Sequence, residues 1–165
     1  MPGGAGDTNV HLELTMEADL PLPGSVSMTL VQSLLAFALG EEGAGGQWEI
    51  GLLLTTDDRV KAMHREFMNL DSPTDIMTFP YEPNEYSSLA TAIRGGDVVI
   101  SVETAALNAQ DAGWKLSDEL LFLILHGLLH ILGWDDADDV QRVKMLTRQA
   151  HLLETWRAYV GEGTG

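Results

Sequence analysis

Two histidines followed by an acidic turn are the residues of this chain whose types and spacing could bind a metal ion. The stretch HGLLHILGWDD begins at His126, and His130 follows it at the i+4 position. On a helix, residues at this spacing lie one above the other, so both imidazoles can reach one ion at about 2.0–2.1 Å. Gly133 then allows the chain to leave the helix through a turn that brings Asp135 or Asp136 back towards the same point.

The spacing of these residues is that of the metzincin motif H-E-x-x-H-x-x-G-x-x-H, with Asp136 in the third ligand position. Three protein ligands leave a fourth position for water, which is typical of catalytic zinc sites. The helical histidine pair favours zinc over the iron of a two-histidine, one-carboxylate site. Gly127 occupies the position of the glutamate that serves as general base in such peptidases. The alternative interpretation is a buried helix whose histidines only pack in the core.

Composition restricts both the kind of site and its setting. The chain has 165 residues and no cysteine, which excludes disulfides, thiolate nucleophiles and cysteine-ligated metals. Its 25 acidic residues against 9 Lys and Arg give a net charge of −16, which disfavours nucleic-acid binding driven by basic residues. No apolar run is long enough to span a membrane, and the N-terminus lacks the features of a signal peptide. We therefore expect a cytoplasmic protein without a membrane segment.

Hydrophobic periodicity predicts the elements that must position these side chains. Apolar runs predict strands at 10–15, 48–55, 74–79 and 96–101. Helical spacing predicts five helices. The first runs from Ser25 to about 39, and the last from about Ala137 to 159. Between them lie three helices with predicted N-caps: one capped by Asp57 or Asp58 that ends near 69, one capped by Ser101 that ends near 112, and one capped by Ser117 that ends near 132.

This element order predicts an α+β fold with a single mixed sheet of roughly four strands packed with helices. One domain is expected over residues 1–165, ordered from about 8 to 160, with frayed Gly-rich ends. Positions in or near the core are predicted for Met28, Trp114, Trp134 and Met145.

Four segments of the chain, in order, resemble the signatures of one family. The segment from His126 to Asp136 is similar to the H-G-x-L-H-L-x-G-Y-D-H signature of the YbeY family, which are bacterial metal-dependent endoribonucleases. NLDSPTDIMTFP (69–80) resembles the family's G-x-D-x-P-T-D-V-L-S-F-P, GDVVIS (96–101) its G-D-I-x-I-S, and 117–119 the run before the histidine helix. The match spans about 48–136. The resemblance implies an α+β fold and one Zn²⁺ ion held at the positions of His126, His130 and Asp136.

Two positions depart from the family pattern. Asp136 stands where the family usually has a histidine, which lowers the net charge at the metal by one and should make a bound water less acidic. Met68 stands where the family often carries an arginine that is presumed to meet phosphate. Arg65, one turn away on the same predicted helix, is the candidate to replace it, although a solvated helix face explains Arg65 as well. Glu119, two turns before His126, suits a supporting role and not ligation.

The resemblance implies a zinc-dependent hydrolase that cleaves single-stranded RNA in ribosomal RNA maturation and ribosome quality control. A metal-bound water would be the reactive group, with Arg65 offsetting phosphate charge, and the sequence indicates no general base. Small-subunit ribosomal proteins are candidate partners. Two alternatives stay open. One is a non-enzymatic ribosome-assembly module with a structural metal, whose acidic surface meets basic proteins. The other is a small metallopeptidase, which Gly127 disfavours.

Overall fold

The computed structural model describes residues 9–68, 74–81 and 94–164 of the chain, without the side chains of 68 and 162–164. Within these ranges the elements follow the predicted order. The strands are β1 (Val10–Ala18), β2 (Gly46–Thr55), β3 (Ile76–Pro80) and β4 (Arg94–Ser101). The helices are α1 (Met28–Glu41), α2 (Asp57–Met68), α3 (Val102–Ala112), α4 (Leu116–Ile131) and α5 (Asp139–Thr164). Residues 1–8, where fraying was expected, lie outside the described residues.

The four strands form one mixed sheet in the order β1-β2-β4-β3. β2 is parallel to both β1 and β4, whereas β3 pairs antiparallel with β4. Parallel neighbours require crossover connections, and α1 supplies the first of them between β1 and β2. The predicted α+β class with a mixed four-stranded sheet is therefore confirmed.

The two faces of the sheet are covered by different helices. Successive residues of a strand point to opposite faces, so Val98 and Val99 of β4 belong to different layers. Val98 joins the main hydrophobic cluster, which α1, α4 and α5 share. Val99 joins a smaller cluster with Met77 of β3 and Val60 of α2. It follows that α2 packs on the face opposite to α4.

The helix α4 is apolar on nearly all sides and lies in the middle of the main cluster. Nine of its residues are buried, among them Leu120, Ile124 and Leu128. A helix of this composition is stable in water only when other elements surround it. The same packing fixes the position of any functional side chain that α4 carries near its C-terminus.

The predicted N-cap of α3 is confirmed, and that of α4 is wrong. Ser101 Oγ accepts a hydrogen bond from the Thr104 N–H at 3.1 Å. α4 instead begins at Leu116, with Lys115 as the N-cap residue and no side-chain cap, so Ser117 lies inside the helix. Two acidic residues in the first turn stabilise the free N–H groups through the helix dipole, which makes a capping side chain dispensable.

The start of α2 is tied to α3 by the side chain of Asp57. Its Oδ1 accepts hydrogen bonds from the hydroxyls of Ser101 and Thr104, the latter at 2.5 Å. These bonds, the Ser101 bond foremost, lower the pKa of Asp57. The cap of α2 is Thr56, whose Oγ1 accepts from the Arg59 N–H at 3.3 Å, and not Asp57 or its neighbour as predicted.

Two of the four predictions of core packing are wrong. Met145 is fully buried and Trp134 packs against the main cluster, as expected. Met28 is 52% exposed because it is the first residue of α1, and Trp114 is 44% exposed in the connection between α3 and α4. In the part of the chain that the structure describes, no helix is both long and apolar enough to span a bilayer.

Candidate metal centre

The C-terminal end of α4 and the turn after it bring together the three residues predicted to bind metal. His126 and His130 lie one turn apart, with their Nε2 atoms 3.0 Å from each other. Gly133 follows the helix with φ 103°, a left-handed conformation that glycine adopts with little strain. The turn returns the chain so that Asp136 Oδ2 lies 3.5 Å from each Nε2. Their role as ligands stays a prediction.

The spacing of these three atoms fits one tetrahedrally coordinated ion. The ligand atoms all lie within 4.8 Å of one another. Two ligands at 2.0–2.1 Å from a tetrahedral zinc ion are about 3.3 Å apart, which falls between the observed 3.0 and 3.5 Å. Two imidazole nitrogens and a carboxylate oxygen are also a donor set that zinc accepts. The side chains of this group are 16–37% exposed, so solvent reaches the site.

In the neutral form of each imidazole, the hydrogen bond made by Nδ1 leaves the lone pair on Nε2. His130 Nδ1 lies 3.1 Å from the carbonyl oxygen of Trp134, which can only accept, so Nδ1 carries the hydrogen. His126 Nδ1 lies 2.8 Å from Oε1 of Gln149 and donates to it in the same way. Two Nε2 lone pairs that face each other across 3.0 Å repel each other unless a proton or a metal cation lies between them, and a metal cation can accept both lone pairs at once.

The turn itself is held by Glu42, the C-cap residue that follows α1. The indole Nε1 of Trp134 donates to Glu42 Oε1 at 2.6 Å, and Nε of Arg148 on α5 donates to Oε2 at 2.7 Å. The Glu42 side chain is only 12% exposed, so these bonds form in a partly desolvated place where they are strong. Since the Trp134 carbonyl accepts from His130, Glu42 supports the orientation of that imidazole from a distant helix.

Gly127 is required by the packing of α4 on the sheet. A Cβ at this position would lie 2.8 and 2.9 Å from the two methyl carbons of Val98 and 3.3 Å from Cδ1 of Ile76. A side chain at 127 would thus be directed into the sheet. A glutamate has no room there, so the general base of the H-E-x-x-H peptidases cannot be accommodated in this arrangement.

The structure does not bring Arg65 to the three residues. Arg65 is exposed on α2, which covers the opposite face of the sheet from α4. Met68 ends the same helix, and its side chain lies outside the described atoms. Glu119 is buried in the first turn of α4, and this burial, together with the nearby charge of Asp75, raises its pKa.

Two supporting residues were not found from the sequence. Gln149 is a polar residue within a buried stripe of α5 that includes Met145, Leu152 and Trp156, and this interruption of the helical pattern was a usable signal. Glu42 is 92 positions away from Trp134 along the chain. Helical or strand periodicity carries no information about a contact of that range, so Glu42 had no comparable signal.

Comparison with known proteins gives a consistent result for most of the chain. The family model described as Endoribonuclease YbeY matches residues 18–157. An endoribonuclease YbeY from Synechococcus sp. (strain JA-3-3Ab) is 38% identical over 146 residues, which cover 86% of this chain and 88% of that protein. An endoribonuclease YbeY from Moorella thermoacetica is 34% identical over 142 residues, which cover 83% of this chain and 90% of that protein.

A solved structure shares the fold. The solution structure of TM1509 from Thermotoga maritima superposes with a TM-score of 0.62, covers 92% of this chain and 93% of that chain, and is 20% identical in sequence. The resemblance found in four sequence segments is thus confirmed across nearly the whole length. The chain belongs to the endoribonuclease YbeY family.

Proposed function

We propose that this protein is a zinc-dependent endoribonuclease that cleaves single-stranded RNA in ribosomal RNA maturation and ribosome quality control. The observation that carries the proposal is the convergence of two imidazole lone pairs and one carboxylate oxygen within 3.5 Å on a partly exposed surface. Membership of the endoribonuclease YbeY family supports RNA as the substrate. The ligands of one zinc ion are His126, His130 and Asp136.

The chemistry divides between the ion and the chain. Zinc, when bound, supplies Lewis-acid polarisation of a phosphoryl oxygen and makes a water more acidic. His126 and His130 donate neutral nitrogens, and Asp136 contributes the one negative charge of the ligand set. Asp136 is also the most exposed of the three, at 37%, which supports an open side of the site that faces the turn and solvent. RNA would approach from that side.

Exposed Lys and Arg side chains would make the contacts with RNA phosphates that the metal ligands do not make. Arg65 is the candidate phosphate contact, and an RNA that reaches it from the metal centre must pass around the edge of the sheet. We propose a single domain over residues 1–165, because the described helices pack on one sheet. A cytoplasmic location, expected from the sequence, is part of the same proposal. Small-subunit ribosomal proteins are the proposed protein partners.

The proposal is tested by metal content and RNA cleavage measured together. Purified protein should contain one equivalent of zinc by elemental analysis and cleave single-stranded RNA, and a chelator should abolish the cleavage. Asp136→Ala should lose most of the zinc and the activity. The control is Asp139→Ala, which removes the same charge from a side chain that is 90% exposed and paired with Arg142. Full zinc content in Asp136→Ala would remove Asp136 from the ligand set.

A non-enzymatic ribosome-assembly module is the second candidate, and the acidity of the chain favours it. A net charge of −16 suits contact with basic ribosomal proteins better than contact with RNA. This candidate predicts binding to small-subunit ribosomal proteins that survives chelation, with no nuclease activity in highly purified protein. RNA cleavage that is lost with the chelator and restored by zinc would reject it.

A further inference from the structure

Gln149 is a polar side chain in a place where an apolar one would be expected. It lies on α5 between Met145 and Leu152, and its side chain is completely buried in the main cluster against α4. Burial of a primary amide is unfavourable by several kcal/mol unless both its ends are hydrogen-bonded. Both ends of this amide are bonded, and both partners belong to the same turn of α4.

The orientation of the Gln149 amide is determined by a backbone group. Nε2 donates to the carbonyl oxygen of Phe122 at 2.9 Å, and that oxygen can only accept. The amide NH₂ must therefore face Phe122, so Oε1 must face His126 Nδ1, 2.8 Å away. If the amide were flipped, Oε1 would face the carbonyl oxygen of Phe122, and two acceptors would be in contact in a buried site.

We propose that Gln149 is a positioning residue that keeps His126 in the tautomer needed for metal binding. With Oε1 as the neighbour, Nδ1 carries the hydrogen and the lone pair is confined to Nε2, which points at His130 and Asp136. The bond also fixes the rotation of the ring about its axis. This inference rests on the zinc site proposed above. It adds a residue of α5 that supports one of the zinc ligands without contacting the ion.

The tautomer is the readout that separates positioning from simple packing. Gln149→Met has nearly the same shape and removes both hydrogen bonds. In the metal-free protein, ¹⁵N spectra of the His126 ring should change from one Nδ1–H tautomer to a mixture. Competition with a chromophoric zinc chelator should show affinity reduced by about 10- to 100-fold, which is usual for loss of such a partner. The matched control is Gln110→Met on the exposed surface of α3, which should change neither.

Gln149→Glu is the conservative variant that tests for rescue. A carboxyl in this buried site favours the neutral acid, whose hydroxyl can donate to the Phe122 carbonyl while its other oxygen accepts from His126 Nδ1–H. Positioning predicts that Gln149→Glu keeps the Nδ1–H tautomer and most of the zinc affinity that Gln149→Met loses. A zinc affinity of Gln149→Glu as low as that of Gln149→Met would overturn the positioning role. If Gln149→Met does not fold, Gln149→Asn, which is one methylene shorter and cannot reach both partners, takes its place.

Failure of this inference can be told apart from failure of the proposed function. An unchanged His126 tautomer and zinc affinity in Gln149→Met would overturn the positioning role, whatever RNA cleavage shows. A wild-type protein that binds zinc but leaves RNA intact would refute the endoribonuclease and leave Gln149 in its role. If the wild type binds no zinc, the ¹⁵N spectra still decide whether Gln149 selects the tautomer.

Discussion

Replacing Gly127 by alanine tests whether the packing of α4 on the sheet determines the position of the metal centre. The new Cβ would lie 2.8 Å from a methyl carbon of Val98, closer than carbon atoms approach without displacement. Val98 is β-branched and 2% exposed, so its methyl groups cannot rotate away. Overpacking of this kind costs about 1–3 kcal/mol. The higher helix propensity of alanine returns about 1 kcal/mol.

The balance predicts a net destabilisation of about 1 kcal/mol, with an upper limit of about 2 kcal/mol. For a chain of this size, that corresponds to a Tm lower by about 2–4 °C per kcal/mol. Thermal unfolding followed by circular dichroism, with a chelator present to remove metal linkage, measures it. Gly40→Ala is the control, because a Cβ on Gly40 of α1 would meet no atom of a neighbouring element within 4 Å, and it should be neutral or stabilising.

A double variant checks the cause of the destabilisation. Val98→Ala removes the two methyl carbons that obstruct the new Cβ, at the cost of a cavity. Adding Gly127→Ala to that background should therefore stabilise the protein, the opposite of its effect in wild type. Stabilisation of the wild type by Gly127→Ala, equal to that by Gly40→Ala, would show that Val98 does not obstruct the new Cβ. A lower zinc affinity in Gly127→Ala would show that the strain displaces α4, which carries His126, rather than β4.

Further predictions concern charges and the turn. Asp57, whose pKa the hydroxyls of α3 lower, stabilises the fold fully above its unfolded value of 3.8, and this stabilisation is lost as the pH falls through the lower folded pKa. In Asp57→Ala, the free energy of unfolding should therefore fall less steeply as the pH is lowered through this range than it does in the wild type. Glu119 has a raised pKa, so its charge opposes folding at pH 7, and Glu119→Gln should raise Tm at pH 7 and not below pH 4. Glu42→Ala leaves the Trp134 N–H and Arg148 without their partner and should cost about 1–3 kcal/mol in urea unfolding, together with zinc affinity. RNA binding by so acidic a chain should lose less than tenfold in affinity between 50 and 200 mM salt, where a protein with many phosphate contacts loses about 10³-fold or more.

Local periodicity was sufficient to predict most of the elements and the convergence of the three candidate ligands. The predicted strand at 48–55 and helix at 118–132 agree with β2 and α4 to within two residues at each end. Both patterns are properties of a short segment, since side chains alternate on a strand and recur every 3.6 residues on a helix. The convergence of His126, His130 and Asp136 is likewise local, because one helix turn and one glycine turn place all three.

Features that depend on contacts between distant segments were not predictable in the same way. Helical spacing placed Arg65 and Met68 on one helix and carried no information on which face of the sheet that helix covers. The cap of α4 was misplaced because Ser117 has the right residue type, whereas the path of the chain after α3 starts the helix at Leu116. The partner of Trp134 is Glu42, the C-cap residue after α1, and only the packed structure brings the two together.

The geometry of the candidate metal centre is therefore a property of the core and not of the helix-and-turn motif alone. One segment carries all three candidate ligands, but β4 determines how close α4 lies to the sheet, Gln149 of α5 is hydrogen-bonded to His126, and Glu42, the C-cap residue after α1, bonds to Trp134 in the turn. These contacts hold the two Nε2 atoms 3.0 Å apart. Two nitrogen lone pairs at that distance repel each other unless a proton or a metal cation lies between them. Relief of the same repulsion favours binding of a cation over binding of a neutral molecule, and two neutral imidazoles with one carboxylate leave a divalent ion with a net positive charge. In a chain of charge −16, such a centre would offer a phosphate group a local positive potential that the rest of the surface opposes.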